Sequence, residues 1–130
     1  MFAYIKGELV EKAVNYVVID VGGVGFQIFV SDLAISEIGE VGNTVKLHTY
    51  YYVREDVVCL YGFLNREELR MFELLLSVSG IGAKSAIATL SNITPSSFAL
   101  AIITNNISTL TKIPRSWKQN STKAYFRVKR

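Results

Sequence analysis

The chain has 130 residues, enough for one ordinary domain or two small ones. Half of them are apolar, which excludes wholesale disorder, yet no apolar run is long enough to span a bilayer. The net charge of +3 is unevenly spread: all eleven acidic residues lie at or before Glu73 and eight of the fourteen basic ones follow it, which points to a polyanion as partner for the back half.

The first residues, Met1 to Lys6, lack the basic-then-apolar layout of a signal peptide, and the single Cys59 excludes an internal disulfide. A cytoplasmic location is expected. Tyr4 to Val10 alternates loosely, as a strand does. Tyr16 to Val21 and Phe26 to Val30 are β-branched and aromatic runs separated by Gly22-Gly23-Val24-Gly25, a hairpin signal. Ser31 to Ile38 fits a short helix. Thr44 to Val53 alternates more strictly, with Val45, Leu47, Thr49, Tyr51 and Val53 on one face and Lys46, His48, Tyr50 and Tyr52 on the other. Arg54-Glu55-Asp56 interrupts the pattern and Val57 to Phe63 resumes it. Five short strands in about sixty residues predict a small barrel of the oligonucleotide-binding (OB) type over 1–63.

The character changes at Asn65, which can cap a helix with Glu67 and Glu68 in its first turn. Leu69, Phe72, Leu75 and Leu76 follow at helical spacing, in a pattern that runs from Glu67 to Val78. A second short helix is predicted from Lys84 to Leu90. Thr94-Pro95 reads as a cap followed by proline at the first helical position, continued by Phe98 to Ile103. Asn106 can cap a last helix over 107–112. The fold class is therefore α+β, strands first, with a small helical domain over 64–114. Residues 115–130 have no apolar periodicity and read as an irregular tail.

Two stretches carry chemistry. Ser79-Gly80-Ile81-Gly82-Ala83-Lys84-Ser85-Ala86 joins two helices through glycines one residue apart. Such a turn lets backbone approach a ligand closely, and the next helix opens with unpaired N–H groups. Ser79, Gly80, Ile81, Gly82, Lys84 and Ser85 are the candidate phosphate-binding residues; the competing reading is a plain helix connection with a structural glycine. The second stretch is Glu55-Asp56, two carboxylates at an expected hairpin tip. There they are solvated, repel a phosphate backbone, or hold a metal. His48 is expected to be a half-exposed strand residue and Cys59 small core packing. No nucleophile–base pairing and no Gly-x-x-x-x-Gly-Lys-Ser/Thr loop is legible, so no catalytic residue, metal site or cofactor is expected.

Taken in order, Ile5-Lys6-Gly7, Val21-Gly22-Gly23-Val24-Gly25-Phe26, Val53-Arg54-Glu55-Asp56, Leu60-Tyr61-Gly62-Phe63, Ser79 to Lys84, and Leu110-Thr111-Lys112-Ile113-Pro114 resemble the RuvA family from Met1 to about Pro114. The family holds Holliday junctions open for branch migration. The resemblance implies an N-terminal OB barrel, then a domain with two helix-hairpin-helix motifs, a linker and a third domain that docks the motor RuvB. It implies a homotetrameric plate, single or paired as an octamer, gripping four-way junction DNA by its phosphates without reading sequence. Glu55 and Asp56 would be an acidic pin at the crossover. RuvB would supply ATP hydrolysis and the nuclease RuvC would resolve the junction.

The resemblance breaks at Arg115. The family continues with a Gly-x-Gly turn after the proline, and here Pro114-Arg115-Ser116-Trp117-Lys118 has neither glycine. With suitably chosen codons, Ser116 to Arg130 read one nucleotide later spells Val-Gly-Asn-Lys-Thr-Ala-Gln-Arg-Leu-Ile-Leu-Glu-Leu-Lys, the family's second hairpin and helix. A frameshift just after Pro114 is the expectation, leaving one intact hairpin, no motor-docking domain and impaired function. Six of the eight late basic residues then belong to the aberrant tail, and only Lys84 and Lys112 to the matched part. Two other functions are weighed: a barrel that oligomerises without useful DNA binding, and a single-strand binder that stacks bases on Tyr50 and Tyr52.

Overall fold

The computed structural model describes residues 1–78 and 81–104, excepting the side chains of 99 and 101–104. Five strands come first: β1 (Tyr4–Lys12), β2 (Tyr16–Val21), β3 (Val24–Phe29), β4 (Thr44–Arg54) and β5 (Val57–Phe63), with the short helix α1 (Asp32–Glu37) between β3 and β4. Helices α2 (Arg66–Ser77), α3 (Ala83–Asn92) and α4 (Pro95–Thr104) follow. The expected helix over 107–112, the second hairpin and the tail lie outside the described residues. Two compact units divide the chain, Met1–Leu69 and Arg70–Arg130, with the boundary inside α2.

The strands close into a barrel in the order β1-β2-β3-β5-β4, with β4 returning to β1. All neighbours are antiparallel except β3 and β5, which meet in parallel through only two residue pairs, Ile28 with Leu60 and Phe29 with Tyr61. Period-2 patterning sends Leu9, Val17, Ile19, Ile28 and Leu47 into a fully buried core. Two glycines make the close packing possible. A Cβ on Gly62 would stand 2.5 Å from Ile28 Cγ2, and one on Gly7 2.3 Å from the Asp20 carbonyl oxygen.

The turns follow from local chemistry. Gly22 and Gly23 both take positive φ, 60° and 92°, and Asp20 accepts a hydrogen bond from Gly23 N at 2.8 Å. This two-residue turn matches strand twist and needs glycine or asparagine-like residues. It is shorter than the four-residue glycine run suggests, because Val24 and Gly25 are already paired in β3. Strand β1 runs two residues past its alternating stretch, to Lys12. Ser31 caps α1 by accepting from Ala34 N at 3.1 Å. Thr49 is buried in β4 but satisfied: its N–H donates to the Ala3 carbonyl and its hydroxyl to that of Phe2.

At the start of α2, Asn65 Oδ1 accepts from Glu68 N at 2.9 Å while Glu68 Oε2 accepts from Leu64 N at 3.3 Å. This is a capping box displaced one residue outward on its return bond. Burial pushes the Glu68 carboxyl up, against the Leu64 bond, and the charges of Glu37 and Glu67 push the same way. Thr94 Oγ1 accepts from Ser97 N at 3.2 Å, so Pro95 is the first residue of α4, where its missing N–H costs nothing.

Candidate nucleic-acid interface

Strand β4 does not stop at Val53. It reaches Arg54, which pairs with Val57, and only Glu55 and Asp56 make the turn. Both carboxylates are exposed, and among the described residues neither forms an ion pair. Arg54 points its chemistry elsewhere: Nη1 donates to the Val53 carbonyl at 2.8 Å, and the guanidinium carbon lies 4.3 Å from the centre of the Tyr52 ring. The tip therefore carries two unneutralised negative charges on a two-stranded ribbon. No group of three or more His, Cys, Asp or Glu among the described residues could hold a metal, so Glu55 and Asp56 have no third ligand beside them.

The second site is the entry to α3. Gly82 is its N-cap, with φ −94° and ψ 172°, and no side chain among the described residues caps the helix. The first intrahelical bond runs from Ala86 N to Gly82 O at 3.0 Å, so the N–H groups of Ala83, Lys84 and Ser85 have no acceptor within the helix. No acidic residue in the first turn offsets the positive end of the helix dipole, and the exposed Lys84 adds to it. Ser85 is half-buried, and its carbonyl accepts from Thr89 Oγ1 at 2.9 Å. Ile81 is different: its side chain is buried and its N–H already donates to the Val78 carbonyl at 3.2 Å. Ser79 and Gly80 lie outside the described residues. Among the described residues a Cβ on Gly82 would meet nothing within 4 Å, and its φ is ordinary, so none of them demands glycine there.

On the barrel's outer surface, Lys46 Nζ lies 4.3 Å from the centre of the Tyr4 ring. His48 is half-buried in β4, and its pKa is lowered by burial first and then by the charges of Lys46 and Arg66, against a smaller opposite effect of Glu67. Cys59 is half-buried beside Tyr61 rather than in the core, and burial raises its thiol pKa. Arg54 and the Lys46–Tyr4 pair were not legible as functional. The parity of β4 could have found Arg54, since it falls on the face of Lys46, His48, Tyr50 and Tyr52, but its place beside two acids makes it look like part of the turn.

Residues 1–62 match the family model described as the RuvA N-terminal domain. The chain belongs to the RuvA family. It is 56% identical over 112 residues, 86% of its length, to the Holliday junction branch migration complex subunit RuvA of Acetivibrio thermocellus, and covers 55% of that protein. It is 49% identical over 114 residues to the RuvA subunit of Ruminiclostridium cellulolyticum, covering 88% of this chain and 57% of that one. To the subunit of Natranaerobius thermophilus it is 39% identical over 129 residues, 99% of this chain and 60% of that one. The chain thus spans little more than half the length of these relatives. The family match ends at residue 62, one residue before the last strand of the barrel ends at Phe63. No helix among the described residues is long and apolar enough to cross a membrane.

Proposed function

We propose that this chain binds four-way junction DNA as a non-catalytic scaffold in the cytoplasm, in the manner its relatives' name describes. The 56% identity over 112 residues to a Holliday junction branch migration complex subunit carries this reading. The physical case agrees with it. The uncapped start of α3, with Lys84, suits a phosphate of a duplex arm held through the backbone, without base readout. Glu55 and Asp56, projecting unpaired, suit a post that like charge keeps between strands at the crossover. In this reading four copies surround one junction, singly or as a paired octamer, and a RuvB-type motor supplies the ATP chemistry. A RuvC-type nuclease acts on the held junction.

The frameshift after Pro114 belongs to the same proposal. One hairpin per subunit in place of two weakens the grip by removing the phosphates that the second would hold. Titration of a labelled four-way junction against salt tests the reading. Lys84→Ala should lower the salt slope by roughly 0.9, because one phosphate is then no longer neutralised. Combined Glu55→Gln and Asp56→Asn should tighten binding while reducing the preference for junction over linear duplex. Equal affinity of the unaltered chain for junction and duplex would sink the proposal. Sequencing the gene across the Pro114 codon decides the frameshift, and an open frame with no shifted alternative would reject it.

A further inference from the structure

The outward face of β4 carries cations at both ends, each set against an aromatic ring. Lys46, His48, Tyr50, Tyr52 and Arg54 share it, over about 26 Å of strand. Each end holds a long cation fixed over an aromatic ring: Lys46 over Tyr4 of the neighbouring β1, and Arg54 over Tyr52. Long cationic side chains ordinarily lose much rotamer freedom when they grip a ligand, and a ring that pre-positions them removes part of that cost. Arg54 uses one of its five N–H groups on the Val53 carbonyl. Lys6 is the direct cross-strand partner of Lys46, so two like charges stand opposite each other, an arrangement that disfavours the sheet and that a bound anion relieves. Arg66 acts on the same face at His48, with a smaller opposite effect from Glu67. At the far end the face runs into Glu55 and Asp56, where like charge would turn a strand aside.

Cations at both ends with tyrosines between them is the composition of a surface that tracks one nucleic-acid strand, phosphates on the charges and bases against rings and guanidinium. We propose that the outward face of β4, from Lys46 with Lys6 to Tyr52 and Arg54, is a track for a single strand of DNA leading to the acidic tip. This rests on the DNA-binding reading above, but uses different residues and a different probe, so either can fail alone.

The test is fluorescence anisotropy of the full chain with a labelled oligothymidylate of about twelve nucleotides, across a salt series. Lys46→Ala and Arg54→Ala should each lower the slope of log affinity against log salt by roughly 0.7, the value per phosphate for single strands. Tyr52→Ala should weaken binding about tenfold, and Tyr52→Phe, which keeps the ring and the packing, should restore it. Unchanged slopes in both cation variants overturn the proposal. So does tighter binding of a duplex of the same length with the same dependence on Lys46 and Arg54, which would make the face a duplex-binding surface.

Discussion

A Cβ on Gly7 would lie 2.3 Å from a backbone carbonyl oxygen and 2.9 Å from Val21 Cγ2, whereas one on Gly82 would meet nothing within 4 Å among the described residues. The surroundings of the two positions are opposite, and on the proposed function Gly82 serves a ligand where Gly7 serves packing. Gly7→Ala should cost about 1–3 kcal/mol of stability or more, because strands β1 and β2 must part to admit it; chemical denaturation measures this. Gly82→Ala should cost less than about 1 kcal/mol as an N-cap change, yet weaken junction binding, since the methyl would stand where a phosphate approaches. If binding survives, glycine at 82 has no ligand to explain it. The sequence singles out Gly82 readily, because a Gly-x-Gly between two helical patterns is a local signal. The need for Gly7 and Gly62 is invisible there, because it arises from residues 13 and 34 positions away in the chain. Arg54 shows the reverse problem. Its strand parity is legible, but adjacent acids disguise it, and only the Tyr52 ring beneath it reveals the separation of its charge from theirs.

At the scale of elements, the helix starts are the best-specified parts of the chain, and α3 is the exception. Asn65, Ser31 and Thr94 each supply a side-chain cap, while α3 begins on a bare glycine. An uncapped start beside three capped ones among the described helices fits the proposed terminus reserved for a ligand. Asn65→Ala should destabilise α2 by about 1 kcal/mol, read as a lowered unfolding midpoint. The burial of Glu68, which outweighs its bond to Leu64 N, has a pH signature. Its folded pKa is raised above the ordinary value of 4.5, so the folded state holds the proton more tightly than the unfolded one. The resulting stabilisation is present below the unfolded pKa and is lost as pH rises through the folded value. Glu68→Gln keeps an acceptor for Leu64 N and removes the titration, so the decline in stability just above pH 4.5 should flatten in the variant. Strand and helix boundaries were legible to within a few residues because patterning and caps are local. The parallel meeting of β3 and β5 was not, because no local signal states which distant strand closes a barrel.

For the molecule as a whole, that closure is its thinnest feature. The antiparallel neighbours share four to seven residue pairs each, and β3 and β5 share two. Amide hydrogen exchange should find the seam amides of residues 28–29 and 60–61 less protected than those of the β2–β3 and β4–β5 hairpins; equal protection would contradict this. The same thin seam sets an order of assembly. Both hairpins close through two-residue turns, a fast and local event. Joining Ile28 to Leu60 must draw together points about thirty residues apart, and loop-closure entropy opposes it until α1 and the core are in place. The same holds for β1 and β4, whose paired residues lie about forty positions apart, so the ribbons β1-β2-β3 and β4-β5 should form before either seam closes. During that interval the apolar edge of either ribbon is available to a ribbon from another copy, and exchange of the β4–β5 arm between nascent chains is the characteristic error this topology invites.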